Sequence, residues 1–517
     1  MARWDEGYVT DVVYTTNFYR ETTPAWLAMS ALLLGHRPPD LSKPFRYADL
    51  GCGHGFTALT VAATCPHAEV WAFDFNPAHI ESARDLASRA GLTNVRFQEA
   101  SFAEIAAMPV DALPAFDFIV SHGVLSWISA ENRALLIDVA GRRLRPGGLA
   151  YLSYNVATGW SGMVPLRALM RMLAIANPER TDLAVPGILA FLDRMKTAGA
   201  QFFQAHPSLE NRLNEIRQLD PRYIAHEFLN QDWHPAMFAD VSSAMADAKC
   251  NFIGSATLTE NIDAISVPQG MAPLLAEARD QRMKETLRDF GAGQGFRRDI
   301  YRRGTPPLPV SEHHRLLDDV HLEWTGQTAA SDITVATPMG TMTGNPEIYR
   351  PLLALLEAGT ISIRHARVQE PFASRPLVEL LQAVALLMSG GYAHMMLPNG
   401  GTPAGRDATA RLNRAIAQTN AGGGEMPRLV VPATGSSLTV ELVETLVAGE
   451  LLAGKAVETE SLTAVVLDTL SRGGRSVQRD GKPVTDPVEA RGIMTAVVSN
   501  IVERRLPLLR RWGILEG

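Results

Sequence analysis

The stretch Tyr47-Ala48-Asp49-Leu50-Gly51-Cys52-Gly53-His54-Gly55 constrains this chain more than any other. It reads as a short apolar strand with an acidic residue near its end, followed by glycines at alternate positions. Glycine has no Cβ, so such a run lets the backbone turn tightly and come close to a ligand. Thr57-Ala58-Leu59-Thr60-Val61-Ala62 then reads as the first turns of a helix. A strand, a bare turn and a helix N-terminus together make a cradle for a nucleotide, with amide groups and the helix dipole facing it.

A dinucleotide fingerprint needs G-x-G-x-x-G. Here Gly55 comes one position early, and Phe56 stands where the third glycine belongs. The form Asp49-x-Gly51-x-Gly53-x-Gly55 resembles instead that of class I S-adenosylmethionine-dependent methyltransferases. Asp74 ends the apolar run Val70-Trp71-Ala72-Phe73. A carboxylate at the end of a second strand can hold both hydroxyls of a ribose. The glycines alone would also suit an ordinary strand-to-helix turn, and Asp74 argues against that reading.

Strands alternate with helices around this motif. The pattern predicts strands over 46–50, 69–73, 94–98, 116–121 and 149–155, with helices over 77–90 and 132–144. That alternation implies an α/β fold, a doubly wound Rossmann-like parallel sheet. Residues 8–35 read as helical, with an aromatic face of Tyr14, Phe18, Tyr19 and Trp26. Residues 161–218 read as a helical insertion above the strand ends, either a place for a lid or a homodimer contact or simply extra core. Strand signals over 222–229 and 251–257 suggest the last two strands of the sheet. The expected organisation is a donor-binding domain over 1–262, a helical linker or regulatory segment over 263–310, a winged-helix-like mixed α+β domain over 311–420 and a helical domain over 421–517. Residues 421–424 read as a flexible joint.

Composition excludes several classes. A chain of 517 residues is too long for one core. A net charge of −7 gives no reason to expect nucleic acid as a partner. Three cysteines without a C-x-x-C spacing suggest neither a disulfide framework nor a structural zinc site, so no metal is expected. The absence of a signal-peptide pattern and of long apolar runs points to a cytoplasmic protein with no membrane span.

Three further stretches carry a family likeness: Ser121-His122-Gly123-Val124-Leu125-Ser126-Trp127, Tyr151-Leu152-Ser153-Tyr154-Asn155 and Thr158-Gly159-Trp160. With Tyr223-x-x-His226-Glu227-Phe228-Leu229, Asp289-Phe290 and Gly295-Phe296-Arg297-Arg298, they resemble methyltransferases that carry a methyltransferase regulatory domain. That group includes the bacterial outer-membrane-protein lysine methyltransferases. The likeness covers 8–305 well and the C-terminal third loosely. It departs from the usual pattern at Leu125 and Thr158, near the expected acceptor side.

The resemblance implies S-adenosylmethionine as methyl donor and N-methylation of a protein lysine. The alternatives are N-, O- or C-methylation of a peptide or small metabolite, and a donor-binding regulatory protein without turnover. The acceptor is accordingly a protein, peptide or carrier-bound group. Strand topology lays the donor across Gly51, Gly53 and Gly55, and the expected donor contacts are Tyr14, Tyr19, Asp49, Gly51, Gly53, Gly55, Phe56, Asp74, Phe75, Asn76, Ala100, Ser101, Phe102, Ser121, His122 and Gly123. Asp74 would hold the ribose and Phe75 would pack on adenine. Ser101 stands where many class I enzymes have aspartate, so its hydroxyl or backbone would serve instead. On the acceptor side, His122 either accepts a proton or only shapes the pocket. Tyr14, Tyr19, Trp127 and Tyr154 form either an aromatic wall or core. Asn155 could hold an amine by its side-chain carbonyl. His226 and Glu227, expected on a strand, are either a substrate-orienting or basic pair or a structural one.

Overall fold

A computed structural model describes residues 7–12, 17–177, 179–304, 306–327, 333–479 and 482–516. Strands β1 (Arg46–Leu50), β2 (Glu69–Asp74), β3 (Val95–Glu99), β4 (Phe116–Ser121), β5 (Leu144–Asn155), β6 (Cys250–Ser255) and β7 (Phe296–Arg303) make one sheet. Its order is β3-β2-β1-β4-β5-β7-β6. Strands β1 to β5 run parallel, and β7 runs antiparallel to both β5 and β6. The strand order reverses between β1 and β4. Ligands of such sheets bind beyond the carboxyl ends of the strands at that point.

Helices α1 (Pro24–Leu33), α2 (Phe56–Thr64) and α3 (Pro77–Arg89) pack on one face, over Tyr47, Val70, Phe118 and Tyr151. Helices α4 (Phe102–Ala107) and α5 (Ala130–Arg143) pack on the other, over Leu50, Phe73, Leu152 and Tyr154. Successive strand residues point to opposite faces. Tyr151 and Tyr154 therefore belong to different cores, and that parity decides which side chains reach the site.

Several expectations are corrected. Residues 8–35 are not one helix: among the described residues the chain is irregular over 7–12 and 17–19, and helix α1 starts at Pro24. Pro24 sets that start, because a residue preceding proline is pushed out of the helical region, and Thr23 caps the helix. Tyr14 lies outside the described residues. The segment 222–229 is not a strand. Pro221–Phe228 is a helix, capped by the Asp220 side chain on the Arg222 amide, with Pro221 in its first turn. Aspartate followed by proline is a helix-start signal. The β-prone Tyr223, Ile224 and Phe228 masked it.

The boundary expected at 262 cuts the sheet, since β7 joins β5 to β6. This strand reads as polar because Arg297 and Asp299 are buried in it. Arg297 bonds Glu285 at 2.9 Å, Asp289 at 2.6 Å and Asp299 at 2.8 Å. A buried cation is tolerated only when its partners are this complete. The segment 263–310 is helical over Asp263–Ser266, Ala272–Ala276 and Gln281–Ala292, as expected, but Phe296–Arg303 within it belongs to the sheet.

Beyond 310, Ile361–Ser362, His321–Trp324 and Ala393–Met395 form a three-stranded antiparallel sheet in that order, beside helices Pro346–Ala358 and Leu377–Ser389. This part does not stand apart. Leu317, Leu322, Leu352, Leu380 and Leu412 share one continuous core with Leu27 of α1 and Leu59 of α2. The helix Pro403–Ala421 lies against α2 and α3: Arg411 donates to the Ala90 carbonyl at 3.0 Å, and Arg89 to Thr419 at 2.9 Å. The glycine joint near 422 is tied down as well, with Arg475 donating to the carbonyls of Gly423 and Gly424 at 3.1 and 2.9 Å. No helix among the described residues is long and apolar enough to cross a membrane.

Candidate active site

A cavity of about 560 Å³ lies at the carboxyl ends of β1, β2, β4 and β5. Its donor-side wall is mostly backbone. Gly51, Gly53 and Gly55 all have left-handed φ, at 84°, 54° and 69°. A Cβ on Gly55 would meet the Phe97 ring at 2.4 Å, whereas one on Gly53 would enter open space in the cavity. The loop is held from the side by Asp74. One carboxyl oxygen accepts the Gly53 amide at 2.8 Å, and the other accepts the Asn76 amide at 2.9 Å and faces His79 Nδ1 at 3.2 Å. Asp49 also lines the cavity; burial, and then the nearby Asp74 charge, push its carboxyl up to about 7.

Phe56, Phe75, Ala100, Ser101 and Phe102 complete this half. The Ser101 hydroxyl is engaged in a capping box at the start of α4, bonding Glu104 at 2.8 Å. Its amide donates to the same Glu104 carboxylate at 2.8 Å and its carbonyl accepts the Ile105 amide at 3.0 Å, so both the hydroxyl and the backbone expected to recognise a ligand are committed to the helix start. Tyr8, from the N-terminal segment, closes over Phe75 edge-on at 5.8 Å.

The other half is built from side chains that arrive from four separate elements. Tyr19 stacks on His122 with ring centroids 3.5 Å apart. His122 Nδ1 bonds the Tyr151 hydroxyl at 2.8 Å. Burial, and then the Arg298 charge, hold His122 well below the usual histidine range, so it is neutral at physiological pH and a weak base. This turns against a general-base role and favours shaping of the pocket. Gly123 donates its amide to Ser153 Oγ at 2.8 Å. Asn155 and Phe296, paired across β5 and β7, share the cavity face with Arg298. The Asn155 amide nitrogen is buried and has no hydrogen-bond partner among the described residues.

Glu227 reaches the cavity from Pro221–Phe228 and hydrogen-bonds Tyr223 one turn earlier. Burial pushes its carboxyl up to about 8 against the opposing pull of the Tyr223 hydrogen bond. Trp127 Nε1 donates to the Glu227 carbonyl at 3.4 Å.

Four expected site residues do not line the cavity. Tyr154 points to the opposite face of β5, fully buried, and donates to Asp299 at 2.6 Å. His226 lies behind the cavity-lining Tyr8 ring, with centroids 5.5 Å apart, and bonds the Val12 carbonyl at 3.0 Å; burial lowers its imidazole to about 4. Ser121 donates to the Leu50 carbonyl at 2.8 Å, tying β4 to β1. Asn76 caps α3. Sequence reasoning missed Tyr8, Asn17, His54, Tyr223, Phe296 and Arg298 as lining residues. Tyr223, Phe296 and Arg298 lay inside quoted motifs, but their placement follows from the helix and strand that were misread.

The donor half fits an adenosyl sulfonium: a loop open at Gly53, two carboxylates at strand ends and an aromatic floor match its chemistry. Residues 48–148 match the family model for a methyltransferase domain, and residues 220–303 that for a predicted methyltransferase regulatory domain. An uncharacterized protein of Synechocystis sp. is 32% identical over 99% of both chains. A trans-aconitate 2-methyltransferase of Methylobacterium radiotolerans is 31% identical over 39% of this chain and 67% of its own. In fold, the chain is similar to PKMT2 from Rickettsia typhi, solved in complex with AdoHcy, with a TM-score of 0.71, 19% identity, and coverage of 98% and 100% of the two chains. The chain belongs to the class I S-adenosylmethionine-dependent methyltransferases that carry a methyltransferase regulatory domain.

Proposed function

We propose that this enzyme transfers the methyl group to the side-chain amine of a lysine in a protein substrate. The carrying observation is the polar end of the acceptor half, where the Glu227 carboxyl sits with the Tyr19 and Tyr223 hydroxyls inside a wall of Trp127, Trp160, Phe228 and Phe296. A lysine offers the complementary shape, an aliphatic stem ending in an amine. The stem would lie along Trp160, Ile216 and Phe228, and the amine would meet Glu227. Glu215 and Leu219 are exposed and line the same cavity, so the acceptor would enter past them. The motif resemblance to outer-membrane-protein lysine methyltransferases supports the same reading.

In this reading Asp74 holds the ribose, Phe75 and Phe102 flank the adenine, and the amides of the glycine loop face the donor's amino-acid part. When bound, the donor supplies a methyl carbon activated by a sulfonium. This chain's residues align the amine with that carbon and exclude water, and positioning of this kind can supply most of the acceleration of a displacement. Residues 311–517 would brace the donor-binding helices and extend the surface a protein substrate meets.

A second reading has one specific support: Arg298 in the cavity could hold the carboxylate of a small metabolite, as suits an acid-methylating relative. Isotopically labelled donor, incubated separately with protein and metabolite pools and followed by peptide-resolved mass spectrometry, separates the two. The lysine reading expects the label on lysine Nε. Label confined to small carboxylic acids would overturn it.

A further inference from the structure

We propose that Glu227 removes the proton from the acceptor ammonium, with the Tyr223 hydroxyl fixing the carboxyl in place. This rests on the amine reading above. A lysine side chain is protonated up to about pH 10.4, and an ammonium has no lone pair with which to attack. The site must therefore hold a group that takes one proton at the point where the amine arrives.

The cavity offers few candidates. His122 is occupied at Nδ1 by Tyr151 and is stacked under Tyr19, with Arg298 opposing any positive charge. His226 faces Val12, outside the cavity. Asp49 and Asp74 stand at the ends of β1 and β2 beside the glycine loop, and His79, bonded to Asp74, and His54, packed on His79, are at that same donor end. Glu215 is exposed at the cavity mouth and paired with Arg212 at 3.3 Å. Glu227 remains. Among the described residues no lysine, arginine or histidine is bonded to its carboxyl; the groups facing it are Tyr223 on its own helix and Tyr8 and Tyr19 from the N-terminal segment. Those hydroxyls are neutral, since burial first, then the Glu227 charge, raise Tyr8, and the same two causes lift Tyr19 to about 12. A carboxyl without a cation of its own can take an incoming one.

The step balances. An N–H bond of the ammonium breaks and its proton moves to a Glu227 oxygen. The nitrogen lone pair so released forms the N–CH₃ bond, and the C–S bonding pair stays on sulfur. Ionised glutamate with ammonium, and protonated glutamate with free amine, carry the same total charge. Binding the ammonium thus neutralises the carboxylate, and the proton transfer itself changes no net charge beside the sulfonium.

The pH dependence has a definite sign. Glu227 must be ionised to receive ammonium, and burial pushes its carboxyl up to about 8. With a lysine peptide as substrate, kcat/KM should rise with pH through about 8 and level off below the amine's own value near 10.4. Glu227→Gln should lower kcat/KM at pH 8 by about 100-fold, with donor affinity unchanged. Its residual rate should climb tenfold per pH unit up to the amine value, without the limb near 8. Tyr223→Phe removes a hydrogen bond that favours the carboxylate, so its limb should move to higher pH while the high-pH rate largely recovers. Glu227→Gln acting at near wild-type rate with the limb intact would overturn the proposal. If that variant fails to bind donor, Tyr223→Phe decides: a displaced limb supports the assignment, and an unmoved one overturns it. Failure of the amine reading looks different, because the wild-type enzyme would then place its label on an atom other than lysine nitrogen.

Discussion

The two halves of the cavity are built by different means. The donor half is made of consecutive backbone: a strand end, three left-handed glycines and a helix start within ten residues of chain. The acceptor half gathers Tyr19, His122, Glu227 and Arg298 from the N-terminal segment, the end of β4, a helix and an antiparallel strand. Local chemistry specifies the first. Long-range packing specifies the second, so its residues acquire meaning only once distant elements have docked. A substitution in the donor half should therefore act on binding. One in the acceptor half should act on turnover.

The largest test removes the support common to both. Ending the chain at residue 305 would expose the face of α1 that now meets the helix Val310–Asp318 and the strand Ala393–Met395, and the face of α2 that meets the helix Pro403–Ala421. Burying a large aliphatic side chain is worth roughly 1.5–3 kcal/mol, and many are lost together. The truncated protein should show no cooperative thermal transition; a sharp transition with intact donor binding would establish that the first 305 residues fold alone.

Next comes Gly53→Val. It places a branched side chain in the open cavity on a left-handed residue, costing about 2–4 kcal/mol of donor affinity between strain and obstruction. Calorimetry should detect no binding at micromolar protein. Asp74→Ala should follow at about 1–3 kcal/mol, since it removes both a carboxylate and the acceptor that holds the Gly53 amide. Unchanged affinity in that variant would rule out a ribose role. The smallest effect belongs to Tyr154→Phe. It deletes one buried hydrogen bond to Asp299 on the far face, so it should cost about 1 kcal/mol of stability and leave turnover untouched. A drop in kcat without a drop in Tm would return Tyr154 to the acceptor side.

Legibility followed the same division. The glycine loop, Asp74 and five parallel strands could be read from local pattern, because strand periodicity and turn chemistry are short-range. The Tyr154 side was also available: Asn155 reaches the cavity, so its neighbour on a strand must point away. Glu227 was named but set on a strand. The Asp220-Pro221 start would have put it on a helix, with Tyr223 one turn before it on the same side. Strand β7 was hidden by its charges, whose partners Glu285 and Asp289 come from a helix packed on the sheet. No local pattern announces that pairing. The shared core between the donor-binding part and residues 311–420 was likewise unreadable, because a proline-rich stretch at 305–309 looks like a linker whether or not the parts it joins are packed together.

The division of the cavity is tested most directly by titrating S-adenosylmethionine into Gly53→Val and Glu227→Gln side by side, and then measuring single-turnover methyl transfer to one lysine substrate. The account predicts that Gly53→Val loses donor binding, while Glu227→Gln binds donor as the wild type does and fails to transfer. Loss of donor binding in Glu227→Gln with its fold intact, or full binding in Gly53→Val, would contradict it.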